Sequence, residues 1–236
     1  MPSPVSVTKN GAIATVTIEN PPVNALSQAV RAGLREALQE TEEDESLTAV
    51  LLTCEGRTFI AGADVREFGQ PPAEPHLPDV IAAIEEASKP WIALLHGTAL
   101  GGGLEVALGC HYRLAAPGTK LGLPEVNLGL IPGAGGTVRL PRLIAAEEAL
   151  AMITSGKPVS AEHAYEIGLI DALLVEDVEQ EARLFAENAA RKPRPKPLMR
   201  RPTNPPRDAA AWQAELQKIK AKARGQHSPV AAAETL

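Results

Sequence analysis

Aromatic side chains are scarce in this chain. Phe, Tyr and Trp make up 3% of 236 residues, so stacking on nucleic-acid bases is a poor account of what it does. Cysteine is scarcer still. Cys54 and Cys110 stand alone in apolar runs, without metal-ligand spacing, and read as small buried hydrophobes in a reducing compartment. No apolar run approaches the ~20 residues a membrane-spanning helix needs, and no charged-then-apolar leader opens the chain. The final Glu-Thr-Leu matches no targeting address. Together these absences predict a soluble intracellular protein with no membrane span and no nucleic-acid partner. Two nucleotide-binding readings also fail. No Gly-x-Gly-x-x-Gly occurs, and no glycine-rich loop ends in Gly-Lys-Ser/Thr, which excludes dinucleotide-fold and phosphate-loop chemistry.

What is present suits a packed core made of Ala, Val, Leu and Ile: 44% of residues are hydrophobic and 22% charged,. The length fits one large domain, or one domain with an appendage. Charge is unevenly spread. Residues 1–190 carry 12 Lys/Arg against 26 Asp/Glu, whereas residues 191–224 carry 11 Lys/Arg against Asp208 and Glu215. The tail is a basic segment on an acidic body. It reads either as a solvated Arg/Pro-rich linker with a helix, or as a segment that meets an anionic ligand or docks on the body.

Patterning gives the organisation. Ala12 to Ile18 alternates as a strand. Ser27 caps a helix to about Glu43, with Val30, Leu34 and Leu38 on one face. Thr48 to Thr53 and Trp91 to His96 are buried strands, and Tyr112 to Ala115 is another. Val80 to Ser88 is a helix. Gly69 to Pro78, with its four prolines, reads as a mobile loop. Short helices are predicted over 137–143, 145–154 and 161–167, and a longer one over Val178 to Arg191. Lys192 to Arg207 is Pro- and Arg-rich and marks a boundary, so that residues 1–190 form the body and 191–236 a linker and helix. Asp208 to Ala223 places Trp212, Leu216 and Ile219 on one helical face. Alternating strands and helices followed by helices alone predict an α/β body with a helical C-terminal segment.

Two glutamates in glycine-rich surroundings hold the chemistry. Glu105 follows Gly97-Thr-Ala-Leu-Gly-Gly-Gly-Leu, and Glu125 lies in Gly122-Leu-Pro-Glu-Val-Asn-Leu-Gly-Leu-Ile-Pro-Gly-Ala-Gly-Gly136. A strand ending at His96, a glycine turn and a helix from the triplet through Leu108 would aim backbone N–H groups outward, where they suit developing negative charge. The blander reading is that these glycines only permit tight helix–strand packing. Leu104, Val106, Ala107 and Leu108 surround Glu105, so its helix reads as buried all round. A buried carboxylate needs a partner, a raised pKa or a task. Phe59 to Phe68 is a further strand-end turn, with Asp64 as its cap. His111 reads as a hydrogen-bonded strand-edge histidine. His96 either borders the glycine site or satisfies backbone. His76, His163 and His227 suggest no metal ligation.

Four segments, in order, resemble the crotonase family, the enoyl-CoA hydratase/isomerase superfamily: Asn20 to Ser27, Phe59 to Phe68, Gly97 to Gly109 and Gly122 to Leu143. Ile153 to Gly156 and Ala164 to Asp171 extend the likeness to about residue 185. The resemblance implies a spiral of β-β-α units followed by helices, and an acyl-CoA thioester substrate whose oxygen sits between the N–H groups of Ala63 and Gly102. It implies that Glu105 and Glu125 are the catalytic pair, and that Val23, Ala25, Ala61, Asp64, Val65 and Gly133 line the substrate. Gly133 matches a position whose N–H orients the second glutamate. Having both glutamates favours hydration of trans-2-enoyl-CoA in fatty-acid oxidation, with Δ3,Δ2 isomerisation as a further activity. Coenzyme A belongs to the substrate, and no metal or redox cofactor is implied. Ala107 to Arg113, the Gly-Leu-Pro-Glu run and Leu140 to Leu143 resemble more narrowly the hydratase half of bifunctional enzymes, which continue into a 3-hydroxyacyl-CoA dehydrogenase. A downstream dehydrogenase domain or a homo-oligomer is therefore the expected partner. The expected compartment is the cytoplasm in a bacterium or the peroxisome in a eukaryote, with residues 208–224 folded back over the pocket.

Overall fold

The computed structural model describes residues 3–223 and 225–236. Arg224, the last cation of the basic segment, lies outside the described residues. A hairpin of β1 (Val5–Asn10) and β2 (Ile13–Ile18) leads into α1 (Gln28–Glu43) and β3 (Ala49–Cys54). Then come α2 (Leu77–Glu86), β4 (Trp91–Leu95), β5 (Thr98–Leu100), α3 (Gly102–Gly109), β6 (Tyr112–Ala115) and β7 (Lys120–Gly122). The last part is α4 (Gly136–Leu143), α5 (Ala146–Ser155), β8 (Val159–Ser160), α6 (Ala161–Glu166), β9 (Ala172–Leu173), α7 (Val178–Ala190), α8 (Ala209–Lys222) and α9 (Ser228–Glu234).

The strands divide between two sheets. The larger has the order β1-β2-β3-β4-β6-β9, and the smaller β5-β7-β8. Only β1 runs antiparallel in the larger sheet; Ile13 lies beside Ala49 and Ile92 beside Tyr112 in parallel register. Each turn of chain thus puts one strand in the large sheet and the next in the small one: β4 then β5, β6 then β7. Two single bridges extend the pattern upstream, Ile60 to Ala99 and Leu26 to Ala63. This is the β-β-α spiral. Its inner seam stacks the segments around Leu26, Ala63, Leu100 and Gly122 next to one another.

Strand β4 is apolar throughout, and β3 from Ala49 to Leu52, because both faces of the large sheet are covered,. Val50, Leu52, Trp91, Ala93 and Leu95 face the main core with α3. Leu51, Ile92, Leu94 and Leu114 face a second core closed by Ala182 and Ala186 of α7. There Tyr112 meets Phe185 edge-on, with ring centroids 5.3 Å apart,. Helix α3 is buried at every residue, and Gly103 makes this possible: a Cβ there would run into the Ile60 carbonyl and lie 2.8 Å from the Ile60 Cβ.

Ser27 caps α1 by accepting the Val30 N–H at 3.4 Å. Strand β1, which the alternation did not single out, buries only Val5; its signal is Asn10-Gly11, with Gly11 at φ 62° in a two-residue hairpin turn. The Pro/Arg-rich stretch is irregular apart from a 3-10 turn at Leu198–Arg200, yet it is tied down. Leu198 joins the main core, the Met199 N–H donates to Glu85 at 3.1 Å, and the Asn204 side chain donates to the Ile144 carbonyl at 2.8 Å. Trp212, Leu216 and Ile219 do share one half-buried face of α8, which packs chiefly on α9. The tail returns to the Glu125 segment, but the element that does so is α9: its Ser228 hydroxyl donates to the Val126 carbonyl at 3.2 Å.

Gly103→Ala should destabilise the fold by roughly 1–3 kcal/mol through overpacking against Ile60 backbone. Urea unfolding checks this, and a stability unchanged within error would refute the packing argument.

Candidate active site

The seam of the spiral places the sequence-predicted residues together. The Ala61 N–H donates to the Val23 carbonyl at 3.1 Å, and the Leu26 N–H to the Gly62 carbonyl at 3.0 Å. The strip from Val23 to Leu26 therefore runs along Ala61 to Ala63. Val23, Ala63 and Val65 are exposed there, while Ala25 and Ala61 are half-buried. Beside this strip α3 begins. A Cβ on Gly102 would lie 3.8 Å from the Ala63 nitrogen, so these two peptides are neighbours. Gly102 is the first residue of α3 and has no acceptor within the helix. Among the described residues, neither its N–H nor that of Ala63 has a protein acceptor.

Asp64, next to Ala63, is buried. It caps the short turn Val65–Glu67 by accepting the Arg66 N–H, and its carboxylate pairs with the Arg66 guanidinium at 2.7 Å. That hydrogen bond holds its pKa below the usual range. Asp64 thus shapes the turn that follows Ala63. Asn24, absent from the predicted set, fixes the same ledge from behind. It is buried at φ 53°, and its amide donates to the Glu55 and Thr58 carbonyls at 2.8 and 2.9 Å.

Glu105 is 3% exposed. Its Oε1 accepts the N–H groups of Ala134 and Gly136, both at 2.8 Å. Burial raises its pKa, and these two bonds, with the Arg139 charge, oppose the rise. Glu125 sits in the turn Pro124–Leu128. Its Oε1 lies 3.0 Å from where a Gly101 Cβ would stand, at the N-terminus of α3, and its Oε2 is buried without a partner. Desolvation, with the Glu105 charge added, pushes its pKa up to about 7. The pair is therefore unequal: two backbone donors and the Arg139 charge oppose the rise at Glu105, whereas Glu125, without them, is pushed up to about 7,.

The glycine loop supplies its donors differently from what the resemblance implied. Gly133 is exposed and donates to neither glutamate; the donors are Ala134 and Gly136, and their acceptor is Glu105, not Glu125. Both candidate roles for histidine resolve as structural. His111 accepts the Trp91 N–H on Nδ1 at 3.0 Å, and burial lowers its pKa to about 4. His96 follows the residues of β4 that face α7, contacts the Gly56 carbonyl at 3.2 Å, and lines a cavity of about 690 Å³ with Thr15, Thr17, Thr53 and Arg183. That cavity contains neither glutamate. Cys54 and Cys110 are free and buried, and burial raises the Cys110 thiol to about 12.

Residues 8–234 match the family described as enoyl-CoA hydratase/isomerase. The chain belongs to the enoyl-CoA hydratase/isomerase family. It is accordingly an enzyme of the crotonase type. It is 42% identical over 227 residues to a peroxisomal bifunctional enzyme of Danio rerio, covering 95% of this chain and 32% of that protein. It is 40% identical over 198 residues to a probable enoyl-CoA hydratase of Bacillus subtilis (strain 168), covering 78% and 77%. The crystal structure of an enoyl-CoA hydratase from Bacillus anthracis superposes with a TM-score of 0.75 at 34% identity, over 79% of this chain and 76% of that one. The chain spans about a third of the length of the bifunctional relative and about three quarters of the Bacillus subtilis one. Among the described residues, no helix is long and apolar enough to cross a membrane.

The raised pKa of Glu125 makes a stability prediction with a definite sign. The folded state binds this proton more tightly than the unfolded chain, so its contribution is fully present below the ordinary carboxylate pKa and is lost as pH rises through about 7,. Glu125→Gln should be more stable than wild type at pH 8, by about 1–2 kcal/mol after discounting for partial exposure, and no more stable at pH 4. Urea unfolding at the two pH values decides. A variant equal to or weaker than wild type at pH 8 contradicts the assignment.

Proposed function

We propose that this enzyme hydrates trans-2-enoyl-CoA to 3-hydroxyacyl-CoA, the step that fatty-acid β-oxidation requires. The observation that carries the reading is the unequal carboxyl pair: one glutamate bonded to two backbone N–H groups, the other orphaned and protonated to about pH 7, beside two neighbouring amides without protein acceptors.

In this reading the thioester oxygen lies between the N–H groups of Ala63 and Gly102. Negative charge grows on that oxygen as the enolate forms, and the two amides, helped by the α3 dipole, stabilise it more than the ground state. A water sits between the carboxyl groups. Glu105, the anion, takes one of its protons while the oxygen bonds to the β-carbon. Glu125 gives its proton to the α-carbon, the double bond is consumed, and the enolate charge returns to the thioester carbonyl. One water has been added, and the proton now on Glu105 passes back to Glu125 through solvent. Val23, Ala25, Ala61 and Val65 form the ledge along which the thioester lies. The chemistry draws on protein groups and water, with coenzyme A as part of the substrate.

Isomerisation of a Δ3-enoyl thioester is a second activity of the same site. It needs one group that removes and returns a proton at moderate pH, and Glu125, whose Oε2 has no hydrogen-bond partner, suits that shuttle. A dehydrogenase acting on the 3-hydroxyacyl product is the next catalyst in line, as the narrower resemblance of Ala107 to Arg113 and Leu140 to Leu143 implies.

Crotonyl-CoA hydration, followed by loss of enoyl-thioester absorbance, tests the proposal. Glu105→Gln and Glu125→Gln should each lower kcat by ~100- to 10,000-fold, while His111→Ala retains turnover. Wild-type protein that binds acyl-CoA yet leaves crotonyl-CoA unchanged would end the hydratase reading.

A further inference from the structure

Glu105 is not held by its two N–H donors alone. The loop that presents them is itself held by a buried ion pair that no part of the proposed mechanism uses. Arg139 of α4 and Glu85 of α2 are 3% and 4% exposed. The Arg139 Nε and Nη2 donate to Glu85 Oε2 at 3.2 and 2.8 Å. The third nitrogen, Nη1, donates to the Ala134 carbonyl at 3.1 Å. Ala134 is the residue whose N–H bonds Glu105 at 2.8 Å. Gly135 makes the reach possible: it sits at φ 101°, and a Cβ there would collide with the Arg139 guanidinium. The other Glu85 oxygen accepts the Met199 N–H at 3.1 Å, so the tail closes the chain of contacts from outside.

We propose that Arg139, held by Glu85, is a positioning residue for Glu105: it orients the Ala134 peptide so that the N–H faces the carboxylate, and it places a cation one peptide away from that anion. A surface role for the pair is ruled out by its burial. A packing role alone would be met by any nearby carbonyl acceptor for the third nitrogen; here the acceptor is the residue whose N–H bonds Glu105. The inference rests on Glu105 being the base of the proposed hydration.

The charged groups facing Glu105 are few. From α4 comes Arg139, and from the turn Pro124–Leu128 comes Glu125. From α2 comes Glu85, which reaches it through Arg139. Arg142 on α4 turns instead to the Arg201 and Val138 carbonyls. Arg113 on β6 turns to Asp171 and the Leu169 carbonyl. Removing the cation therefore leaves Glu105 facing only Glu125, and its pKa should rise.

The test pairs Arg139→Gln, which removes the cation, with Arg139→Lys, which keeps the charge but cannot span Glu85 and the Ala134 carbonyl together. Two readouts are taken. Carbon-13 NMR titration of labelled glutamate, with Glu105 assigned by its loss in Glu105→Gln, reads the carboxyl directly and needs no turnover. Expected is an upward shift of Glu105 by about half a pH unit or more in both variants, because Arg139→Gln removes the cation and Arg139→Lys no longer holds the Ala134 N–H toward the carboxylate. Crotonyl-CoA kinetics should show kcat lowered by about 10- to 100-fold with KM nearly unchanged, and the acid limb of the pH profile displaced upward. Folded variants with an unmoved Glu105 titration overturn the proposal, as does a rise in KM with kcat intact. Should neither variant fold, the wild type still decides: the Arg139 Nε and Ala134 amide signals must titrate with Glu105, and insensitivity of either refutes the coupling. An inactive wild type with these shifts intact would sink the hydratase reading and leave the positioning of Glu105 standing.

Discussion

Everything in the site depends on letting a carboxyl group ionise inside an apolar helix, where burial raises its pKa. Such a charge cannot persist without partners, because removing it from water costs far more than a folded domain has in reserve. Here two peptide N–H groups take the place of water around one oxygen of Glu105. That arrangement dictates the loop after Glu125, since Ala134 and Gly136 must both turn inward. It dictates Gly136 as well, where a Cβ would press at 3.1 Å on the Glu105 side chain. Peptide donors carry no net charge and cannot be titrated, so they hold the anion without competing for its proton.

The second carboxyl is treated in the opposite way. Glu125 receives burial and a like charge but no donor to its Oε2. Two identical side chains thus acquire different proton affinities from their surroundings alone. The arrangement weakens the fold above neutral pH, because an orphaned acid oxygen is tolerated where a hydrogen bond would have been cheaper. Stability given up at a reactive group is a familiar trade in enzymes, and the buried Glu85–Arg139 pair lies on the same side of that balance.

Much of this was legible in the residues. Glycines followed by a wholly apolar helix around Glu105 announced a buried carboxylate, and the resemblance, not any local pattern, paired it with Glu125. The helices and buried strands followed from period and capping. Three things did not follow. The donors to Glu105 are main-chain groups, and a peptide N–H leaves no mark on residue identity; the sequence pointed to Gly133, one and three positions short of the real pair. Arg139 sits on an amphipathic helix, where a cation reads as solvated, and its partner Glu85 is 54 residues away. Helix α9 and the short strands β5 and β7 escaped because two or three residues of pairing, or a run of alanines, give no period to detect. Asp64 was legible as a cap, and the structure leaves it that role.

The glycine triplet from 101 to 103 would ordinarily be taken as slack in the chain. Its surroundings say otherwise, since each member is crowded by something different. Glu125 Oε1 stands 3.0 Å from the Cβ position of Gly101, the Leu26 and Leu77 methyls stand 3.0 and 3.1 Å from that of Gly102, and Ile60 closes on Gly103. Missing side chains here create density, not freedom: acid, ledge and core each occupy the volume one methyl would have filled. The most flexible residues in the chemical sense form a close-packed joint, and the reacting groups are set around it.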